Sequence, residues 1–131
     1  MNLLLKLKNA ILVKKNCLSI HFKKKYFFTL NLLTKYKYIY GFVITIKKGN
    51  LYLLIYLKYK GSWIKTSAIY TIKGISNPGQ RIFITYKKTM TTIPNLKYKS
   101  GLGIISCSFG FMNVCKAFKY KIGGEYLYYF N

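Results

Sequence analysis

Across 131 residues the chain carries one carboxylate, Glu125, one imidazole, His21, one guanidinium, Arg81, and three thiols, Cys17, Cys107 and Cys115. A single carboxylate cannot form the acid and base pair of hydrolytic chemistry. No aspartate is present to hold magnesium, and no Gly-Lys string cradles a phosphate. Enzyme catalysis is therefore not expected. The thiols are odd in number and lack a C-x-x-C pair, which supports neither a disulfide framework nor zinc, and they read as small thiols of a reducing compartment. His21 has no second ligand nearby in sequence and reads as a packed or surface imidazole. No metal and no other cofactor is expected.

The remaining chemistry is that of hydrogen bonding and charge. In Ile104-Ile105-Ser106-Cys107-Ser108-Phe109-Gly110, hydroxyls at a strand end can bond bases and 2′-hydroxyls, and Gly110 lets backbone approach a nucleotide. The same string also fits an ordinary exit from strand to turn. Phe109 either stacks on an unpaired base, for about 1–3 kcal/mol, or packs inward. Glu125 follows Gly123 and Gly124, and a carboxylate in so basic a chain is costly beside a polyanion unless it accepts hydrogen bonds. Arg81 stands alone among lysines, and its planar fork grips phosphate or carbonyl groups in a way lysine cannot.

Lysine and arginine number 23 against one acid, a formal net charge of +22. Such a chain repels itself unless a polyanion surrounds it, and nucleic-acid phosphate is the usual one. Lys6, Lys8, Lys14 and Lys15, then Lys23, Lys24 and Lys25, form two clusters that read as phosphate contacts or as a solvated face. Hydrophobic residues make up 52% and aromatics 18%, too many for a disordered basic tail. The longest uncharged stretch, Ser100 to Cys115, is 16 residues with three glycines and three serines, short of the roughly 20 a spanning helix requires. No membrane span is expected. A cationic membrane-surface protein and an unrelated nucleic-acid module are the alternatives to be weighed.

Periodicity supplies the elements that must position these groups. Asn2 to Lys15 has helical spacing, and on its own could pass for a basic amphipathic targeting peptide. Leu18 to Phe22 is a strand, and Lys23 to Tyr40 a second helix ended by Gly41. Phe42 to Lys47 and Leu51 to Tyr59 form a hairpin about Lys48-Gly49-Asn50. Lys60-Gly61-Ser62 is the expected break between two small domains, residues 1–60 and 61–131. In the second, Ala68 to Ile75 and Ile82 to Tyr86 are strands joined at Asn77-Pro78-Gly79-Gln80, where Gly79 can take the positive φ of a type II turn. Lys87 to Tyr98 is a loop with a short helical turn. Gly103 to Ser108 and Glu125 to Phe130 are strands, with a short helix between Met112 and Tyr120. The fold class is α+β, with an N-terminal helix-strand-helix-hairpin domain and a mainly β C-terminal domain with short helices.

Three strings, Ser76-Asn77-Pro78-Gly79-Gln80-Arg81, Ile105-Ser106-Cys107-Ser108-Phe109-Gly110 and Gly123-Gly124-Glu125, resemble in order and spacing the second half of bacterial-type small-subunit ribosomal protein eight. Leu4-Leu5-Lys6-Leu7-Lys8-Asn9-Ala10 resembles that family's first helix, beginning so near Met1 that no removable presequence is expected. The family string Ser-Thr-Ser-Lys-Gly is matched at Ser106, Ser108 and Gly110, with Cys107 in place of Thr and Phe109 in place of Lys. The resemblance implies a primary rRNA binder that reads the central domain of small-subunit rRNA and supports subunit assembly, beside small-subunit proteins five, two and seventeen. It further implies that Glu125 orders the hydroxyl loop through Ser106 or Ser108, and that Gly123 and Gly124 permit close approach of RNA. The bias toward Lys, Asn, Ile, Tyr and Phe is that of an A- and T-rich gene and suggests a mitochondrial ribosome, with a plastid as the alternative.

Overall fold

The computed structural model describes residues 3–61, 63–88 and 101–131. They form two compact units, Met1–Tyr70 and Thr71–Asn131, each with helices and antiparallel strands, an α+β fold.

In the first unit, helix α1 (Leu3–Leu12) buries Leu3, Leu4, Leu7 and Ala10, one stripe of the 3.6-residue repeat. Strand β1 (Cys17–His21) leads to helix α2 (Lys24–Lys35), which buries Thr29, Leu30 and Leu33. Strands β2 (Ile39–Lys47) and β3 (Asn50–Leu57) complete an antiparallel sheet of order β1-β3-β2. Central β3 buries Leu53, Ile55 and Leu57, with Ile20 opposite Leu53 and Ile39 opposite Leu57. The β2–β3 register closes at Lys47 opposite Asn50, leaving Lys48 and Gly49 as the turn at φ 49° and 74°. Two successive positive φ values are the type I′ geometry that suits the strand twist. A short ladder of β4 (Tyr59–Lys60) and β5 (Thr66–Ser67) follows. Lys60 and Gly61, at the division expected after residue 60, lie within this first unit, and Ser62 falls outside the described residues.

The second unit is built around its last strand, β10 (Gly124–Phe130). Strand β8 (Leu102–Cys107) lies on one edge of it, with β9 (Gly110–Asn113) beyond. On the other edge lie β6 (Ile72–Gly74) and β7 (Phe83–Ile84), each antiparallel to β10. Instead of folding back at Asn77-Pro78-Gly79-Gln80, these two strands follow one another along β10, and residues 76–81 leave the sheet and return between them. Asn77 and Gln80 exchange backbone hydrogen bonds at 3.0 Å in both directions. Gly79 does not take the positive φ expected of it, because that reciprocal pair closes the turn without a left-handed residue. A 3₁₀ turn (Tyr86–Lys88) follows β7; residues 89–98 of the expected loop lie outside the described residues.

Helix α3 (Val114–Lys119) starts at Asn113, whose side chain accepts the Cys115 N–H at 3.1 Å, and packs Val114 and Ala117 onto the sheet. The core there comprises Ile84, Ile105, Val114, Ala117, Tyr126 and Tyr129. Tyr126 and Tyr129, three apart, share that face because a bulge inserts Leu127 between the Tyr126–Ile105 and Tyr128–Ile104 pairs. Leu127 gives its carbonyl to the Ile75 N–H at 3.0 Å. Burial, and then the nearness of Tyr129, push the Tyr126 phenol well above the usual tyrosine range.

The helices are shorter than the sequence pattern implies. Helix α1 stops at Leu12 rather than Lys15, and α2 at Lys35 rather than Tyr40. The cause is a shared C-terminal device. Lys14, Lys37 and Lys121 have φ of 54°, 61° and 57°. After α2, Lys37 N–H donates to Thr34 O and Tyr38 N–H to Leu33 O, both at 2.9 Å. Lys14 and Lys15 repeat this after α1, and Lys121 and Ile122 after α3. This is the Schellman arrangement, with lysine where glycine is usual. A side chain in the left-handed region costs about 1–2 kcal/mol. Lys37→Gly should therefore raise the unfolding free energy by about 1 kcal/mol in a urea titration, whereas Lys35→Gly, inside the helix, should lower it by about 1 kcal/mol.

Candidate nucleic-acid interface

The hydroxyl-rich string forms the tip of the β8–β9 hairpin. Cys107 pairs with Gly110, leaving Ser108 and Phe109 in the connection. Neither has positive φ. Gly110 supplies it, at +101°, and allows the hairpin to close. The Cys107 thiol donates to the Gly110 carbonyl at 3.2 Å, holding the two sides of the tip together. Ser108 is exposed, and Phe109 is 78% exposed, so of the two sequence readings of Phe109 inward packing is excluded.

Behind the tip, register aligns one row of side chains across four strands. Phe83 on β7 stands opposite Glu125 on β10, Glu125 opposite Ser106 on β8, and Ser106 opposite Phe111 on β9. Directly opposed residues share a face. This row lies away from the core face that carries Ile84, Ile105 and Tyr126. Phe83 is 70% exposed, while Glu125 and Ser106 are half-buried. No motif or spacing marked Phe83 in advance. Only the pairing of a two-residue strand with β10 brings it beside Glu125.

The carboxylate of Glu125 has a partner other than those expected. The Ser76 hydroxyl donates to its Oε1, whereas Ser106 is its neighbour through strand register. Ser108 lies farther out, in the hairpin connection. Glu125 therefore ties the start of the residue 76–81 excursion to the strand that faces the hairpin. A separation of 49 residues hides this contact from any local motif.

The space beside Gly123 and Gly124 is occupied by the protein's own backbone. A Cβ on Gly124 would collide with the Ser106 carbonyl oxygen, and one on Gly123 would lie 2.9 Å from the Ile84 carbonyl oxygen. The glycines let β10 enter the sheet between β7 and β8. Arg81 is exposed, at the end of the same excursion that begins near Ser76.

In the first unit, Lys6 is half-buried and Lys8, Lys14, Lys15, Lys23, Lys24 and Lys25 are exposed. Lys6 lines two clefts. One, of about 250 Å³, also has Asn9, Lys15 and Ser19 in its wall; the other, of about 200 Å³, has His21, Lys23 and Tyr26. The two lysine clusters thus meet at Lys6 across β1, while Lys8, Lys14, Lys24 and Lys25 line neither cleft. Lys23 Nζ lies 5.7 Å from the Tyr26 ring centre, within cation–π range. His21 packs its ring against Tyr52, 4.4 Å between centroids. Among the described residues no group of three or more His, Cys, Asp or Glu side chains could hold a metal, and no helix is long and apolar enough to cross a membrane.

An α+β chain with this charge and an exposed hairpin tip of hydroxyl and aromatic groups has the make-up of a structural protein. Comparison with known proteins makes this specific: the family model described as ribosomal protein S8 matches residues 1–130, and the chain belongs to that family. It is similar to small ribosomal subunit protein uS8 of Mycoplasmopsis pulmonis (strain UAB CTIP), 35% identical over 128 residues that cover 98% of this chain and 92% of the relative. It is equally similar to small ribosomal subunit protein uS8c of Gracilaria tenuistipitata var. liui, 35% identical over 98% of this chain and 93% of the relative. For the uS8 of Borreliella afzelii (strain PKo) the identity is 34%, over 95% of this chain and 89% of the relative. Proteins of this family are structural, non-enzymatic constituents of the small ribosomal subunit.

A hydrogen bond to a charged group contributes about 1.5–3 kcal/mol. Ser76→Ala and Glu125→Gln should each lower the unfolding free energy by about 1 kcal/mol or more in urea titrations. The double variant should lose less than the sum of the two, because both remove one contact. Strict additivity would show that the pair is not coupled.

Proposed function

We propose that this chain is an rRNA-binding constituent of the small subunit of an organellar, mitochondrial ribosome, and that it binds the central domain of small-subunit rRNA and supports subunit assembly. The observation that carries the reading is the hairpin tip. Ser106, Cys107, Ser108, Phe109 and Gly110 form that tip, with Ser108 and Phe109 exposed, backed by Glu125 and its serine and in line with the exposed ring of Phe83. Single-stranded loops and distorted helices of RNA offer splayed bases and 2′-hydroxyls to such a tip. Hydroxyls give directional bonds there, and an exposed ring gives a stacking surface.

Division of labour follows from chemistry. Lys6, Lys15 and Lys23, gathered around β1, hold phosphates, as do Lys8, Lys14, Lys24, Lys25 and Arg81. Such contacts fix position without reading sequence. Ser106, Ser108 and Phe109 read the RNA. Gly123 and Gly124 serve the site by bringing β10 against β8, and Glu125 by holding Ser76. Small-subunit proteins five, two and seventeen are the proposed neighbours. The mitochondrial assignment rests on composition: 22 of 23 basic residues are lysine, the drift of an A- and T-rich gene. Relatives named for bacteria and with the plastid-type uS8c name both match the chain, and a plastid is the alternative location.

The protein should sediment with the small subunit of an organelle lysate and be released by salt. About six phosphate contacts correspond to a log–log salt slope of roughly −4 to −5. A slope near zero, or recovery with membranes after ribonuclease treatment, overturns the reading. In filter binding, Lys6→Ala or Lys24→Ala should weaken cognate and scrambled RNA alike. Ser108→Ala should instead reduce the preference for cognate RNA by about 1 kcal/mol. Glu125→Gln, although it removes a negative charge, should weaken cognate binding by about 1–3 kcal/mol, and tighter binding by this variant would deny Glu125 an organising role.

A further inference from the structure

The only tryptophan of the chain, Trp63, lies in the loop between β4 and β5 and is 98% exposed, with Ile64 beside it at 73%. An indole left in water forgoes one of the largest burial gains available to a side chain. The loop that displays it is nevertheless constrained. Lys60 pairs with Thr66, and the Thr66 hydroxyl donates to the Lys60 carbonyl at 3.1 Å. Gly61 sits at φ +89°, where a Cβ would come within 2.5 Å of the Ile64 carbonyl oxygen, so the backbone at Gly61 lies close against that at Ile64. The base of the ladder is fixed in turn by Tyr59, whose hydroxyl donates to the Lys15 carbonyl at 2.7 Å.

The charges around the loop select its occupant. Lys60 and Lys65 flank Trp63, both exposed, and the first unit contains no acidic residue, the single Glu125 belonging to the second. An exposed planar ring on a loop that also carries exposed cations to either side in sequence is a combination by which proteins hold single-stranded nucleic acid. The ring takes the face of any base, and the cations take the phosphates on either side. We propose that the β4–β5 hairpin is a second RNA contact, in which Trp63 stacks on an unpaired base and Lys60 and Lys65 hold the flanking phosphates. The inference rests on the ribosomal reading in one respect, that RNA is the polyanion around the chain.

Because Trp63 is the sole tryptophan, its fluorescence reports on this contact alone. A short oligouridylate titrated into the full-length protein should quench the emission and shield it from acrylamide. Trp63→Ala should weaken oligouridylate binding roughly 5- to 100-fold, and Trp63→Phe should retain most of the affinity. Lys60→Ala and Lys65→Ala should each make the log–log salt slope shallower by about 0.7. Emission unchanged by oligouridylate overturns the proposal, as does equal quenching by a blunt RNA duplex, which has no free base to stack. A response confined to anionic phospholipid vesicles also overturns it. The same proteins titrated with the central-domain rRNA fragment separate the two readings. If the fragment binds with its Ser108 dependence intact while neither RNA alters the indole, the hairpin contact alone falls. If oligouridylate quenches Trp63 but the fragment is bound no better than scrambled RNA, the ribosomal reading falls and the hairpin contact stands.

Discussion

The close passage of the Gly124 backbone across the Ser106 carbonyl sets the geometry of the second unit. Strand β10 must fit between β8 on one edge and β6 and β7 on the other, and any side chain at its entry would push β8 away. Once β10 is seated, Glu125 falls between Phe83 and Ser106, and Tyr126 turns into the core. The bulge at Leu127 then resets the alternation so that Tyr129 joins Tyr126 there. The hairpin edge is thus a product of sheet assembly. Its chemistry is placed by two residues that have no side chain.

Charge imposes a second condition on the whole chain. With 23 cations and one acid, ion pairing cannot organise the surface, and the one acid accepts from a serine. The lysines find neutral partners instead. Lys23, Lys58, Lys87 and Lys116 approach the rings of Tyr26, Tyr40, Tyr86 and Tyr120 at 5.7, 5.8, 6.0 and 5.7 Å. At exposed sites such contacts are worth about 0.5–1 kcal/mol each and leave the cation available to phosphate. The abundance of tyrosine, which in composition alone could suggest a membrane surface, supplies these lysines with neutral partners in a chain that has a single carboxylate.

Features specified by adjacent residues were legible in the sequence. Lys48-Gly49-Asn50 reads as a hairpin turn because glycine in such a position has few other uses, and the first strand and helix follow from simple periodicity. Features that depend on pairing between distant strands were not. The β8–β9 hairpin lacks an Asn-Gly signal, since its positive φ falls on Gly110, after the two connecting residues. Strands β6 and β7 read as partners joined by a turn, and only β10, 40 or more positions later in the chain, shows that they lie end to end. For the same reason the strings that contain Ser76 and Ser106 to Gly110 could be singled out from sequence, while the contact of Ser76 with Glu125 and the place of Phe83 beside it could not.

The left-handed lysines that terminate the helices bear on the RNA contact proposed above. The carboxyl end of a helix carries the equivalent of about half a negative charge and ordinarily repels phosphate. Here each of the three described helices ends at an exposed lysine one residue beyond its cap, at Lys14, Lys37 and Lys121. A cation in that position offsets the dipole. On the proposed reading, a phosphodiester backbone crossing the carboxyl end of such a helix would then meet no repulsive pole there. Glycine at the same three positions would relax the protein backbone but restore three sites that nucleic acid avoids.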